Sequence, residues 1–337
     1  MDVILLVKCS LIVIPNSFNS PLYSIYESLV KQQSKVWLIL IALWIINGSS
    51  FLAIKISIDT IPPLLSAAIR FTIAGSILLT AYLIRKEYEH KSEHIGKQQW
   101  KDTIVLAVAL FLGGQGLLTW GSQFLSSGMT GLLNSTIPLW VAIIAFALYR
   151  RKMSKLTVIG LAAGFGGLML LIAPSLGSGT LDPTGLSALL LSSIAWAFGS
   201  IYSTKAKLPV SILASSGMLM ISGGVILMAA SFILGEFRGL DISQISSNSL
   251  FAMVYLIVVI TVIGFTDFYW LLRVTTASLA NTFAYVSPVI AVILGWAILH
   301  ETITLIMIIA MAVILLGVAL MVTKPKDRKK PIPTKAE

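Results

Sequence analysis

Apolar residues fill ten windows of transmembrane length along this chain: 36–54, 62–84, 102–122, 129–149, 155–173, 183–204, 209–234, 249–271, 276–298 and 301–322. A helix needs ~20 mostly apolar residues to cross a bilayer. Within the windows no polar face recurs at the helical period, as it would on a soluble amphipathic helix. The pattern predicts an all-α integral membrane protein of ten transmembrane helices. Between the windows the chain turns quickly. The longest connections, near 85–101, 174–182 and 235–248, are too short for a soluble domain.

Composition agrees. The 337 residues are 57% hydrophobic and 11% charged, with a mean hydropathy of +0.92, whereas soluble proteins are about 25% charged. The net charge of +10 does not point to nucleic acid, because its placement follows the helices. All but four of the 24 Lys and Arg lie just before the first window (Lys31 and Lys35), in or at the edges of alternate connections, or in the tail 323–337; the exceptions are Lys8, Lys55, Arg70 and Arg238. The positive-inside rule then puts both termini in the cytoplasm, with 323–337 as a basic cytoplasmic tail. Residues 1–35 form a leader to which the sequence gives no role. Cys9 is the only cysteine, and the three histidines are not grouped with acids inside a helix. No metal or cofactor is expected.

The helices are written twice. A shift of 150 residues carries the first five windows onto the last five, Pro138 onto Pro288 and Gly167 onto Gly317. The expected units are 36–173 and 183–322. Five helices per unit is an odd number, so the two copies enter the membrane from opposite sides. Inverted repeats recur in secondary transporters, with the substrate site near the midplane between the copies.

Charged residues inside an apolar helix are costly, by roughly 2.5–3.5 kcal/mol for a central Arg or Asp. Arg70 lies eight residues into the second window and Asp267 is the one acid well inside any window. Arg70 reads equally as a pin on backbone carbonyls or as a group that meets anions. Asp267 reads as a partner of Arg273, or as a carrier of a coupling proton or a contact for a cationic solute. Helical spacing puts Gln115, Thr119 and Ser122 on one face, Thr130, Asn134 and Pro138 on another, and Asn281, Tyr285 and Pro288 on a third. Pro138 and Pro288 each free a carbonyl and kink their helices. Asn47, Trp120, Trp196 and Trp270 complete the candidate lining with Arg70, Gln115, Asn134, Asp267 and Tyr285. Gly160 and Gly164 form a small-xxx-small face for close helix packing, within the chain or against a partner subunit.

Several stretches are similar to a known family: "NGSSFLAIK" at 47–55, "PPLLSAAIRFTIAG" at 62–75, "GGQGLLTWGSQFLSSGMTGLLNSTIPLWVAI" at 113–143, "WLLRVTTASLANTFAYVSPVIAVILG" at 270–295 and "LHETIT" at 299–304. The chain resembles the ten-helix EamA-type transporters of the drug/metabolite transporter superfamily. The resemblance implies two inverted five-helix repeats around a central cavity, alternating access, and export or exchange of small organic solutes across the cytoplasmic membrane. This sequence departs from the family pattern in three places. Asn47 stands where the family usually has Trp, with Trp44 one turn back. Arg151 stands where the family often has Glu, although the second repeat keeps Glu301. Asp267 stands where a small or apolar residue is the rule.

The expected partners are therefore a small-molecule substrate (an amino acid, another metabolite or a drug), the lipid bilayer and protons as coupling ion; the oligomeric state is not fixed by the sequence. The rivals are a channel and an intramembrane enzyme. No Gly-x4-Gly-Lys-Ser/Thr loop is present, and His300-Glu301 is not continued to His-Glu-x-x-His, so neither a P-loop engine nor that zinc signature is encoded.

Overall fold

The computed structural model describes residues 21–89, 95–149, 153–178, 182–275, 279 and 282–322. Among them there is no strand. Ten helices follow the ten windows: α1 Pro21–Ser57, α2 Pro63–Glu89, α3 Lys97–Gly121, α4 Ser127–Tyr149, α5 Lys155–Ser178, α6 Pro183–Ser203, α7 Ile212–Ile233, α8 over 247–274, α9 Phe283–Leu299 and α10 Leu305–Val322. Eight of them are long and apolar enough to cross a membrane, and α9 and α10 are shorter apolar helices.

Local chemistry sets the ends. Asp182 begins α6 by accepting from the Thr184 and Gly185 amides, with Pro183 in the first turn. A hydrogen bond from the Thr184 side chain, with those from the two amides, holds its carboxyl below the ordinary aspartate range. Ser126, Ser211 and Ser246 cap α4, α7 and α8 in the same way, each accepting from an amide three residues on. Gly235, at φ +77°, turns the chain out of α7, and His300, at φ +54°, ends α9.

Packing repeats with the sequence. Helix α2 lies against α7, its own image at the 150-residue offset, and α5 lies against its image α10. Pairs α1–α8 and α6–α3 are images of each other, as are α1–α9 and α6–α4. Glycines allow the closest crossings. A Cβ on Gly160 would strike the Gly317 carbonyl, and one on Gly224 would strike the Thr72 backbone. The Gly160–Gly164 face is thus used inside the chain, against α10 and Leu139 of α4. Large apolar side chains such as Leu83, Ile159, Leu191, Phe232 and Leu316 remain exposed, as a lipid-facing surface requires. Buried hydroxyls bond carbonyls of their own helices: Ser57 to Ile54, Ser122 to Leu118, Thr136 to Leu133.

Several helix ends differ from the windows, α1 most of all: it begins at Pro21, so residues 21–35 of the expected leader continue the first helix. Helix α3 starts at Lys97, five residues early, because Gln99 reaches back to the Gly96 amide and stabilises the extra turn. Helix α10 starts at Leu305, four residues late, because Glu301 leaves the helical path to bind α4. The continuous stretch of α9 begins at Phe283, later than the expected 276. Helix α4 is interrupted at Ser135–Thr136, just before Pro138, while α9 runs through Pro288 as one helix.

Candidate functional site

Helices α3 and α8 each widen into a π-helical stretch, Ala107–Gly116 in α3 and Leu256–Ile263 in α8. At the 150-residue offset the two stretches overlap. Such widened turns are rare and concentrate at functional sites. Each receives a hydrogen bond from the opposite repeat. Ser192 Oγ of α6 donates to the Gly114 carbonyl at 2.8 Å. Arg70 Nε of α2 donates to Thr261 Oγ1 at 2.9 Å. Ser49 of α1 and the Tyr255 hydroxyl of α8 add a third contact between repeats, at 2.8 Å. The seam between the halves is therefore polar at the level of the π stretches.

Arg70 is the charged centre of that seam. It is 8% exposed and stands seven residues from the start of α2, about 10 Å along the axis. Its guanidinium carbon lies 4.8 Å from the centre of the Phe71 ring. Thr261 gives its own hydrogen to the Leu256 carbonyl at 2.8 Å, so its oxygen is left to accept from Arg70.

The other candidates fall into three groups. Trp196 packs on α3, its ring 2.8 Å from where a Cβ on Gly114 would sit, which brings it beside Gln115. Gln115 and Asn134 are half-buried; no side-chain hydrogen bond is formed by either among the described residues, and neither is sealed from solvent. Asn47 and Tyr285 sit on α1 and α9, which touch where Gly48 meets Ile290 and the Ser287 carbonyl. Asn47 spends its amide on the Leu43 carbonyl.

Trp120 and Trp270 lie apart from each other, each against apolar residues of both repeats. Trp120 packs edge-on against Phe124 beyond the end of α3. Trp270 lies under Lys35, whose Nζ is 5.1 Å from its ring, at the opposite end of the bundle. They are images in the repeat, and their places suit tryptophans at the two membrane–water interfaces. Asp267 stands one turn inward from Trp270, half-buried, with no hydrogen bond or ion pair to its carboxylate among the described residues. The Arg273 side chain and Asn281 lie outside the described residues. Arg70 and Asp267 do not pair.

The widened turn changes one predicted face. Gln115 is half-exposed while Thr119 and Ser122 are buried, so the three do not line one path. Thr130 likewise turns inward and bonds the Ser126 carbonyl.

The sequence assigned no capping role to three charged side chains at one end of the bundle, Glu301 among them. Glu301 accepts from Ser127 N at 2.6 Å, Ser127 Oγ at 3.0 Å and Gly128 N at 3.1 Å, and so caps α4 from the other repeat. Glu236 accepts from the Leu64 and Leu65 amides and from Ser231 Oγ, capping α2. Lys55 donates to the carbonyls of Ser122, Gln123 and Leu125. The available signal was charge at a helix end facing a short connection. At the other end Asp102 accepts from the Tyr202 hydroxyl at 2.7 Å, the Lys207 amide and Gln98. Among the described residues no group of acids, His or Cys is placed to hold a metal ion.

Comparison with known proteins adds a second line of observation. The model of the EamA-like transporter family matches residues 34–173 and again 183–323. An uncharacterized inner membrane transporter of Escherichia coli K12, YedA, is 34% identical over 83% of this chain and 88% of its own length. The uncharacterized transporter YoaV of Bacillus subtilis is 28% identical over 84% of this chain and 95% of its own. A solved crystal structure shares the fold with a TM-score of 0.58 at 19% identity, covering 86% of this chain and 97% of that one.

Proposed function

Because the chain belongs to the EamA-like transporter family, we propose that this membrane transporter exports or exchanges a small organic solute across the cytoplasmic membrane by alternating access. The two repeats, 36–173 and 183–322, rock against each other about a site at their seam. The observation that carries this reading is the pair of π stretches at equivalent positions, each bonded by a polar group from the other repeat. A rocking motion makes and breaks contacts at that seam. Arg70, Gln115, Asn134 and Trp196 form the centre of the path, with Asn47 and Tyr285 beside it. Trp120 and Trp270 stand at its two mouths. Asp267 takes up the coupling proton, since its carboxylate is within the bundle and free of a cation among the described residues. Both termini face the cytoplasm, as the basic connections require.

The test is reconstitution of the full chain in liposomes with labelled amino acids, amines and nucleosides, with and without a pH gradient. Saturable uptake and counter-flow for at least one solute are expected. Flux that rises linearly with concentration and shows no counter-flow would favour a channel. Asp267→Asn is expected to abolish the dependence on the pH gradient. An unchanged dependence would remove Asp267 from coupling.

A further inference from the structure

Arg70 has more hydrogen-bonding capacity than the protein uses. A guanidinium carries five N–H donors in a planar fork. Only Nε is engaged, by Thr261. No carboxylate among the described residues pairs with Arg70. Its two terminal nitrogens make no hydrogen bond among the described residues, yet neither is among the buried polar atoms sealed off without a partner. They are the donors of this 8%-exposed side chain that stay unspent among the described residues. The anchor at Nε and the Phe71 ring at 4.8 Å fix the plane of the group. With Nε spent on Thr261 of α8, what remains is the end of the fork, with two parallel N–H donors.

A fixed cation with no counter-charge among the described residues, deep in an apolar bundle, is costly to keep unless something is gained from it. The end-on pair of donors matches the two oxygens of a carboxylate. We infer that Arg70 is the anchor for a carboxylate on the transported solute, so that this protein selects organic monoanions or zwitterions over amines and neutral solutes. The inference rests on the transporter reading above. A phosphomonoester carries about −1.5 to −2 charges at neutral pH. A single cation leaves much of that charge uncompensated, which favours carboxylate. An amine without a carboxylate meets like charge. Thr261 is a positioning residue here: it acts on solute only by aiming the fork.

The test uses the full-length protein in liposomes and matched probes: amino acids and short hydroxy acids, each beside its primary amide, together with simple amines and sugar phosphates. Half-saturation of counter-flow is measured for each. The expected result is that the solutes that saturate carry a carboxylate, and that conversion to the amide weakens half-saturation about tenfold or more. Arg70→Gln is expected to erase the difference between acid and amide, and Arg70→Lys to keep part of it. Thr261→Val, which retains the charge, is expected to weaken the acid several-fold and leave the amide unchanged; it keeps the test open if Arg70→Gln does not fold. Amides or amines that saturate as well as acids would overturn the inference and leave the transporter reading intact. So would a preference for sugar phosphates, or a Gln variant that still discriminates. Absence of saturable counter-flow for every probe would overturn both.

Discussion

The two ends of the bundle are built from the same repeat and are tied together differently. At the end that carries the connections 58–62, 122–126, 234–246 and 300–304, two acids of the second repeat cap helices of the first. Glu301 holds α4 and Glu236 holds α2, while Lys55 gathers three carbonyls beyond α3. At the end that carries the termini, no acid caps a helix N-terminus across the repeats among the described residues. Its ties are Asp102 with Tyr202 and Lys207 N, Trp44 with Thr282, and cations over the Tyr149 and Trp270 rings.

The repeat shows why. At the 150-residue offset the image of Glu301 is Arg151, that of Glu236 is Lys86, and that of Lys55 is Lys205. Where one end has a carboxylate that can accept from helix amides, the other has a cation that cannot. Two copies equal in fold are therefore unequal in charge. Buried apolar faces are shared by both copies, so the difference in closure comes from a few side chains at the connections. A carboxylate on helix N-termini exploits both free amides and the helix dipole. The acid-capped end is the one tied across the repeats by charged hydrogen bonds.

Glu301→Ala breaks this comparison most strongly. It leaves two amides and a hydroxyl without their acceptor, a loss of about 2–3 kcal/mol. Amide exchange across Ser127–Asn134 should quicken by at least tenfold and thermal unfolding in detergent should come earlier. Unchanged exchange there would mean that the cap is idle. Glu236→Ala should act likewise on the first turn of α2, by about 1–2 kcal/mol, because Ser231 belongs to the helix that precedes it. Lys55→Met should cost about 1 kcal/mol, since water can reach part of its three carbonyls; exchange should rise in the 122–126 connection and nowhere else. Tyr202→Phe removes one bond to Asp102 while the Lys207 and Gln98 donors remain. A small loss of stability is expected, read at the terminal end of α6. Arg151→Glu sharpens the comparison from the other side. It puts an acid at the image of Glu301 and should slow exchange at the start of α9 by a small factor, worth ~0.3–1 kcal/mol.

Much of the fold was legible because a bilayer demands long apolar runs and penalises charge. The ten helices, the repeat and the lipid-facing surface follow from that demand. Arg70 stood out for the same reason, as a charge in an apolar run. Its partner Thr261 did not, because a lone hydroxyl in such a run has the same pattern as ordinary packing. The π stretches have no compositional mark, and their extra residue per turn shifted Gln115 away from Thr119 and Ser122. Glu301 was visible only as a family feature. Its role depends on which helix the 300–304 connection meets, and that is a tertiary fact. Trp120 and Trp270 looked like cavity walls by residue type, yet contacts place them at helix ends beside Phe124 and Lys35.

The central claim is that a solute site at the seam of the repeats is reached from each end in turn. Counter-flow tests it most directly. Liposomes holding the full-length protein are loaded with unlabelled solute and diluted into a trace of the labelled form. The account predicts transient accumulation of label above its equilibrium level, and loss of that overshoot when the internal solute is left out. Label that rises only to equilibrium, at a rate indifferent to the internal solute, would contradict it.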